Sequence, residues 1–371
     1  MSTVSANTIL DATGGNTATI NGTTPTAYNT MGKNRIINGD MRIDQRNAGA
    51  STAVSSTTQY MLDRWRAIEI TDGGFSVERS TTAPAGYTNS MKFTITSADT
   101  SLAAGQLSGF DQFIEGYNAA DLGFGTANAK TVTLSFWVRS SLTGTFSGAL
   151  RNSATNRTYI FTYAISAADT WEYKTITVTG DTSGTWLTDN GIGIDVIWSF
   201  GTGTDWQGTA GSWSASGAFS TSGSVSLIGA NGATFYITGV QLELGSVATE
   251  FERRPYGTEL ALCQRYYEKS YRPSSVPGSS GVPPGFITTL TNGVVTNSIA
   301  GVYYKVVKRA IPTVTVYNAV NGTSGQVYRE SDASGITVSV QYDAETGFAR
   351  LSLGTSKEDQ YLWHFTASAE L

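Results

Sequence analysis

Apolar and polar residues alternate with a period of two through much of this chain, the pattern of strands that bury one face and wet the other. Up to about Phe251 the rhythm predicts strands at 42–44, 75–79, 91–95, 132–139, 159–163, 173–178, 192–198 and 233–243. Strands in that number and spacing suit a jelly-roll-like β-sandwich. Leu107, Phe110 and Ile114, spaced by three and four, predict one short helical turn over 106–116. Thr258 placed as an N-cap, with Leu260, Cys263 and Tyr267 behind it, predicts a helix over 258–269. Leu262 and Tyr266 give that helix a second apolar face, so it reads as a connector between two neighbours. Pro273, Pro277, Pro283 and Pro284 mark a linker. Strands predicted at 286–290, 301–307, 313–317, 336–342, 348–353 and 361–369, with turns at Asn292-Gly293 and Asn321-Gly322, make a second β unit. Its core is small, so association with sister copies would help it. Before the first strand, Ile9, Leu10, Ile20, Tyr28 and Met31 are too sparse to cover a core.

The fold class is therefore all-β: a jelly-roll-like β-sandwich plus a smaller C-terminal β domain, joined by a short helix. Its parts are an extended arm over 1–33, the sandwich over 34–255, helix and linker over 256–285, and the C-terminal β domain over 286–371. Composition agrees, with 41 glycines for turns and only 14% charged residues, against about 25% in an ordinary soluble domain. The net charge of −5 and the lack of a Lys/Arg cluster argue against nucleic acid. One cysteine, Cys263, and one histidine, His364, leave neither a disulfide framework nor a zinc-ligand pattern, and no cofactor or metal is expected. The N-terminus has no basic and apolar leader, and no stretch nears 18 apolar residues, which predicts synthesis in the cytosol without membrane insertion.

Catalytic constellations are hard to build from these residues. His364 sits in a strand pattern and reads as a core or interface histidine. Asp181, Asp189, Asp195 and Asp205 could supply paired carboxylates for glycan hydrolysis, yet Asp is also an ordinary turn residue, as Asp72, Asp99 and Asp111 read here. The expectation is a protein without enzymatic activity. The most suggestive feature is the aromatic density of Trp171, Trp186, Trp198, Trp206 and Trp213 with Phe200 and Phe219. Trp206 and Trp213 fall in a polar, Gly-rich run over 201–217 that reads as a loop. Ring faces beside carboxylates suit a sugar, so Trp186, Trp206, Trp213 and Asp205 form a candidate glycan site. The competing reading is that these rings fill a core or an interface, where Trp137 and Trp198, on regular strands, belong.

The run Lys33-Asn34-Arg35-Ile36-Ile37-Asn38-Gly39-Asp40-Met41-Arg42-Ile43-Asp44-Gln45-Arg46, followed by Tyr60-Met61-Leu62-Asp63-Arg64-Trp65, resembles the opening of bacteriophage tail-fibre and related virion appendage proteins. The stretch at 132–139, Gly239-Val240-Gln241-Leu242-Glu243-Leu244-Gly245, Phe251-Glu252-Arg253-Arg254-Pro255, Cys263-Gln264-Arg265-Tyr266-Tyr267 and the closing Ala367-Ser368-Ala369-Glu370-Leu371 point the same way. The resemblance implies a homotrimeric virion fibre that docks on other virion proteins through its N-terminal arm and presents a distal sandwich to a host surface glycan. It leaves open a capsid-decorating or head-fibre protein and a polysaccharide-cleaving fibre.

Overall fold

The computed structural model describes residues 32–281, 285–290, 298–354 and 358–371. Nearly all of the predicted arm and the Asn292-Gly293 turn lie outside them. The first thirteen strands are β1 (Thr52–Val54), β2 (Thr57–Tyr60), β3 (Arg66–Ile70), β4 (Gly74–Ser80), β5 (Ser90–Ser97), β6 (Leu107–Glu115), β7 (Val132–Ser140), β8 (Gly144–Arg151), β9 (Thr158–Ile165), β10 (Glu172–Val178), β11 (Ile192–Thr202), β12 (Trp213–Ser214) and β13 (Thr234–Leu244). They form two antiparallel sheets, in the orders β1-β4-β5-β13-β7-β10 and β12-β9-β8-β11-β6-β3-β2. The inner faces meet in an aromatic core. Phe110 stacks on Trp198 with centroids 5.1 Å apart and on Phe93 at 4.7 Å, and Phe75, Phe136, Phe200 and Phe235 close around them. Each fully buried ring of this kind stabilises the fold by about 2–3 kcal/mol through lost water contact.

The segment 106–116 is not a helical turn over its length: Leu107–Glu115 is strand β6, in the middle of its sheet, and a 3-10 turn begins only at Gly116. Phe110 and Ile114 face the aromatic core while Leu107 joins a second apolar cluster on the opposite face. A strand buried on both faces loses its alternation, and apolar residues three and four apart then mimic a helix. The segment 42–44 is not a strand either. Its Ile43 is bound by the Asn38 side chain, which accepts from the Ile43 N–H at 2.9 Å and donates to its carbonyl at 2.8 Å.

Helix α1 spans Tyr256–Gln264, starts behind Pro255 without a side-chain cap, and leaves Thr258 inside its first turn. It ends early because Tyr267–Lys269 becomes strand β14, paired with the last strand of the chain. The remaining strands are β15 (Ile287–Leu290), β16 (Ser298–Tyr303), β17 (Thr313–Asn318), β18 (Gln326–Arg329), β19 (Ser334–Ala344), β20 (Gly347–Leu353) and β21 (Gln360–Ser368). Strand β16 stops at Tyr303, short of the expected 307. The sheet runs β14-β21-β18-β19-β20-β16, with β15 and β17 also paired to β21. Its core holds Ile299, Val316, Phe348, Leu351, Trp363 and Phe365. No helix among the described residues is long and apolar enough to cross a membrane.

Four of the segments that carry the appendage resemblance, those at 33–46, 60–65, 263–267 and 367–371, converge on one place, the junction between the two β units. Asn38 donates to the Asp63 carbonyl at 3.0 Å, and the Trp65 indole donates to the Asn38 carbonyl at 3.0 Å. Gln45 donates to the Asp63 carboxylate from its backbone and its side chain, both at 2.6 Å, and to the Tyr267 carbonyl at 2.9 Å. Burial pushes Asp63 up to about 6, against the pull of the Arg46 guanidinium. Arg64 pairs with Glu370 and lies 3.6 Å over the Tyr266 ring, while Tyr60 donates to the Leu371 carbonyl at 2.9 Å. Glu115 receives Arg265 at 2.6 and 2.9 Å and the Tyr266 hydroxyl at 2.6 Å. Ile37, Ile43, Cys263 and Tyr266 supply the apolar filling. Gly39 is required here, because a β-carbon would stand 2.2 Å from the Val240 carbonyl oxygen.

Candidate functional site: an aromatic cleft on the sandwich face

On β7 and β10 the register sets Trp137 directly opposite Tyr173. Directly opposed side chains share one face of an antiparallel pair. Their rings lie 5.3 Å apart, tilted by 47°, with Trp137 half-buried and Tyr173 exposed on the outer face of the sheet. Trp137 is thus no core residue; its neighbours Phe136 and Val138 take the inward positions. A second ring pair, Tyr87 and Phe251 at 5.5 Å and 64°, completes the aromatic lining. Tyr87 comes from the loop before β5, where its N–H closes a turn on the Pro84 carbonyl at 3.0 Å. It lies across Gly239, whose φ is +63°, and a β-carbon there would be 2.7 Å from the Tyr87 hydroxyl. The register of β13 against β7 shifts between Thr238 and Gln241, so Gly239 both makes the bulge and clears space for the tyrosine.

The two pairs line an open cleft of about 480 Å³ together with Ala248, Thr249, Glu250 and Arg253. Arg253 lies 4.7 Å from the centre of the Tyr87 ring and 5.9 Å from that of Phe251. Flat rings beside hydroxyl, carboxylate and guanidinium groups can take the apolar face of a pyranose and bind its hydroxyls.

The structure brings Trp186 and Trp213 together and sets Trp206 in a different cluster. Trp186 and Trp213 meet at 5.4 Å, with Phe124 and Tyr159 against them. Their indoles are spent on backbone carbonyls: Trp186 donates to Ser183 at 3.2 Å and Trp213 to Thr179 at 2.6 Å. Trp206 packs on Phe219 at 6.1 Å and donates to the Gly105 carbonyl at 3.0 Å. Asp205 is exposed in the short 3-10 turn over 204–206. Trp198 is fully buried in the core, as its strand position predicts.

Two of the aspartates considered for hydrolysis are tied to arginine. Arg157 holds Asp181 at 2.6 and 2.8 Å, and Arg151 holds Asp195 at 2.6 and 3.0 Å. Asp189 accepts from the Gly191 N–H at 2.8 Å. Asp111 is no turn former but a fully buried strand residue paired with Arg66; burial and the nearby Asp195 push it up to about 6. His364 is fully buried, stacked on Tyr271 at 3.7 Å with Nδ1 3.0 Å from the Ser270 hydroxyl. Among the described residues no cluster of His, Cys, Asp and Glu could hold a metal ion.

Tyr87, Trp137, Tyr173, Phe251 and Arg253 come from four separate stretches, and no spacing in the sequence joins them. The available signal was local: Trp137 lies between Phe136 and Val138 in an alternating strand, which cannot turn all three to one face.

No protein-family model matches the sequence, and no curated protein does. Among solved structures, the enzymatically active domain of tailspike protein 4 of bacteriophage CBA120 is similar at 12% identity and TM-score 0.29, over 57% of this chain and 21% of that one. The chain thus spans about a fifth of that tailspike structure. A family 11 carbohydrate-binding module of a Clostridium thermocellum cellulosomal cellulase aligns at 12% identity and TM-score 0.26, over 55% of this chain and 99% of the module. The module TmCBM61, solved with β-1,4-galactotriose, aligns at 9% identity and TM-score 0.27, over 57% of this chain and 99% of that one. At these scores none of the three bears on what this chain binds.

Proposed function

We propose that this protein is a bacteriophage tail-fibre or receptor-binding appendage whose sandwich grips a host surface glycan in the aromatic cleft without cleaving it. The observation that supports the glycan reading is the cleft itself, where Trp137 and Tyr173 stand side by side on an outer sheet face. A sheet normally turns polar residues outward; two large rings there, beside a second aromatic pair, ask for a ligand with a flat apolar face. Binding without hydrolysis fits a cleft with a single lining carboxylate, Glu250, while Asp181 and Asp195 are occupied by arginines elsewhere. The fibre role rests on the motif resemblance, with three copies assembled in the virion and the arm over 1–33 docked on other virion proteins.

A glycan array probed with the intact protein and with Trp137→Ala tests the first part. Binding that the substitution abolishes supports the reading, and an array without signal overturns it in favour of a capsid-decorating or head-fibre protein. Release of new reducing ends from a bound polysaccharide would replace binding by cleavage. Light scattering on the same sample gives the mass; three copies are expected, and a monomer would remove the fibre assignment.

A further inference from the structure

Arg253 and Arg254 are neighbours in sequence with opposite fates. Arg254 is largely buried and committed: it donates to the Ile36 carbonyl at 3.2 Å and pairs with Glu252 at 3.4 Å and Glu259 at 3.3 Å. The Glu252 carboxylate is taken up further by the N–H groups of Gly32 at 2.5 Å and Asn34 at 2.8 Å. Arg253 is exposed and turns instead to the cleft, with its guanidinium over Tyr87 and beside Phe251. Among the described residues it has no ion pair, and Glu250, which lines the same cleft, does not reach it.

A guanidinium lying on a ring keeps its N–H donors at its edge, in the plane of the fork, free for a planar acceptor. Aromatic packing also fixes its position, so little side-chain freedom is lost when a ligand binds. The acceptor that matches this fork with two parallel hydrogen bonds is a carboxylate. Resting on the glycan reading of the cleft, we infer that the protein selects acidic saccharides, those with a uronic or other carboxylated sugar, and that Arg253 binds the sugar carboxylate. The rings of Trp137 and Tyr173 take the apolar face of the chain, and Glu250 accepts hydroxyls. Arg253 is then a specificity residue within a binding platform made by the aromatics.

The test uses pairs of glycans that differ only in the charge: oligogalacturonate, oligoglucuronate and sialyllactose, each beside its carboxyl-reduced form, titrated into the intact protein. At least one acidic form is expected to bind about tenfold more tightly than its reduced partner, the effect of one charge-assisted contact. The ratio should shrink as salt rises, because the guanidinium is exposed. Arg253→Gln should bring the two forms together by weakening the acidic form about tenfold more than the reduced one, and Arg253→Lys should restore only part of the preference. Trp137→Ala should weaken both forms alike. Equal affinities for all pairs, or a preference that survives Arg253→Gln, overturn the inference and leave the glycan reading intact. No binding of either form in any pair, together with a silent glycan array, would remove the glycan reading and the inference with it.

Discussion

Arg64 and Glu370 lie 306 positions apart and form an ion pair in which the side chains are only 1% and 6% exposed. The pair ties the turn before β3 to the last residues of the chain, and Arg46 joins it at 2.8 Å from the other carboxylate oxygen. Tyr60 holds the Leu371 carbonyl from the sandwich, and Arg309, from the C-terminal unit, donates to the carbonyls of Ala369 at 2.6 Å, Glu370 at 2.7 Å and, in the sandwich, Asn190 at 2.8 Å, so the last residues are held at the junction.

Removing one partner of this pair should cost more than removing both. Glu370→Ala leaves two buried guanidinium groups without their carboxylate and should lower stability by about 3 kcal/mol. Arg64 keeps the Phe113 carbonyl at 2.5 Å and the Tyr266 ring, which limits the loss. The double variant Arg64→Met with Glu370→Leu should recover at least half of it. Urea unfolding of the three proteins checks this, and a double variant no better than the single one would count against the electrostatic account.

Gly39→Ala should destabilise by about 3 kcal/mol, since the new methyl meets the Val240 carbonyl and the backbone must shift. The shift would disturb the Val240 N–H bond to the Gly39 carbonyl, now 2.9 Å. Gly223→Ala, where a β-carbon would meet nothing within 4 Å and φ is not positive, is the control, and little change is expected there. Thermal melts of both variants decide it.

Trp213→Ala and Trp137→Ala should separate stability from binding. Trp213 is anchored to the Thr179 carbonyl and packed on Trp186, Phe124 and Tyr159, so its loss should cost about 2 kcal/mol and leave glycan affinity unchanged. Trp137→Ala should do the reverse. Paired melting and titration experiments would reveal an exchange of these roles, which would move the glycan site to the cluster around Trp213.

Lys269 gives the protein a signature on the alkaline side. Its ammonium is buried against the carbonyls of Pro273 at 3.2 Å and Ser275 at 2.6 Å, and burial lowers it from 10.5 to about 8, with only distant help from Asp63 and Asp44. Between about pH 8 and 10.5 the unfolded chain therefore holds a proton that the folded chain has released, and stability from this group rises with pH. From pH 7.5 to 9.5 the gain should be about 1–2 kcal/mol. Lys269→Met should remove that slope in urea unfolding; an unchanged slope would assign it to other groups.

Strands with one wet face were legible in the sequence because alternation survives there: β4, β5, β9, β10 and β19 fall where the pattern puts them. β6 was not, because both of its faces are covered and its residues carry no period. The edge strands β2 and β12, with four and two residues, are too short to show one. The motif resemblance marked residues that the structure explains as a junction, where Asn38 and Gln45 bind Asp63, Arg64 pairs with Glu370, and Tyr266 binds Glu115, which lies outside the motifs. The sequence by itself determined an all-β chain of two units with a helix between them, since local alternation and turn chemistry depend only on near neighbours. Which aromatics fill the core and which line a surface was decided by tertiary structure alone. Trp198 and Trp137 sit in strands of the same kind, but one faces the opposite sheet and the other faces outward beside Tyr173. Register across strands sets that difference, and register is fixed by residues dozens of positions away.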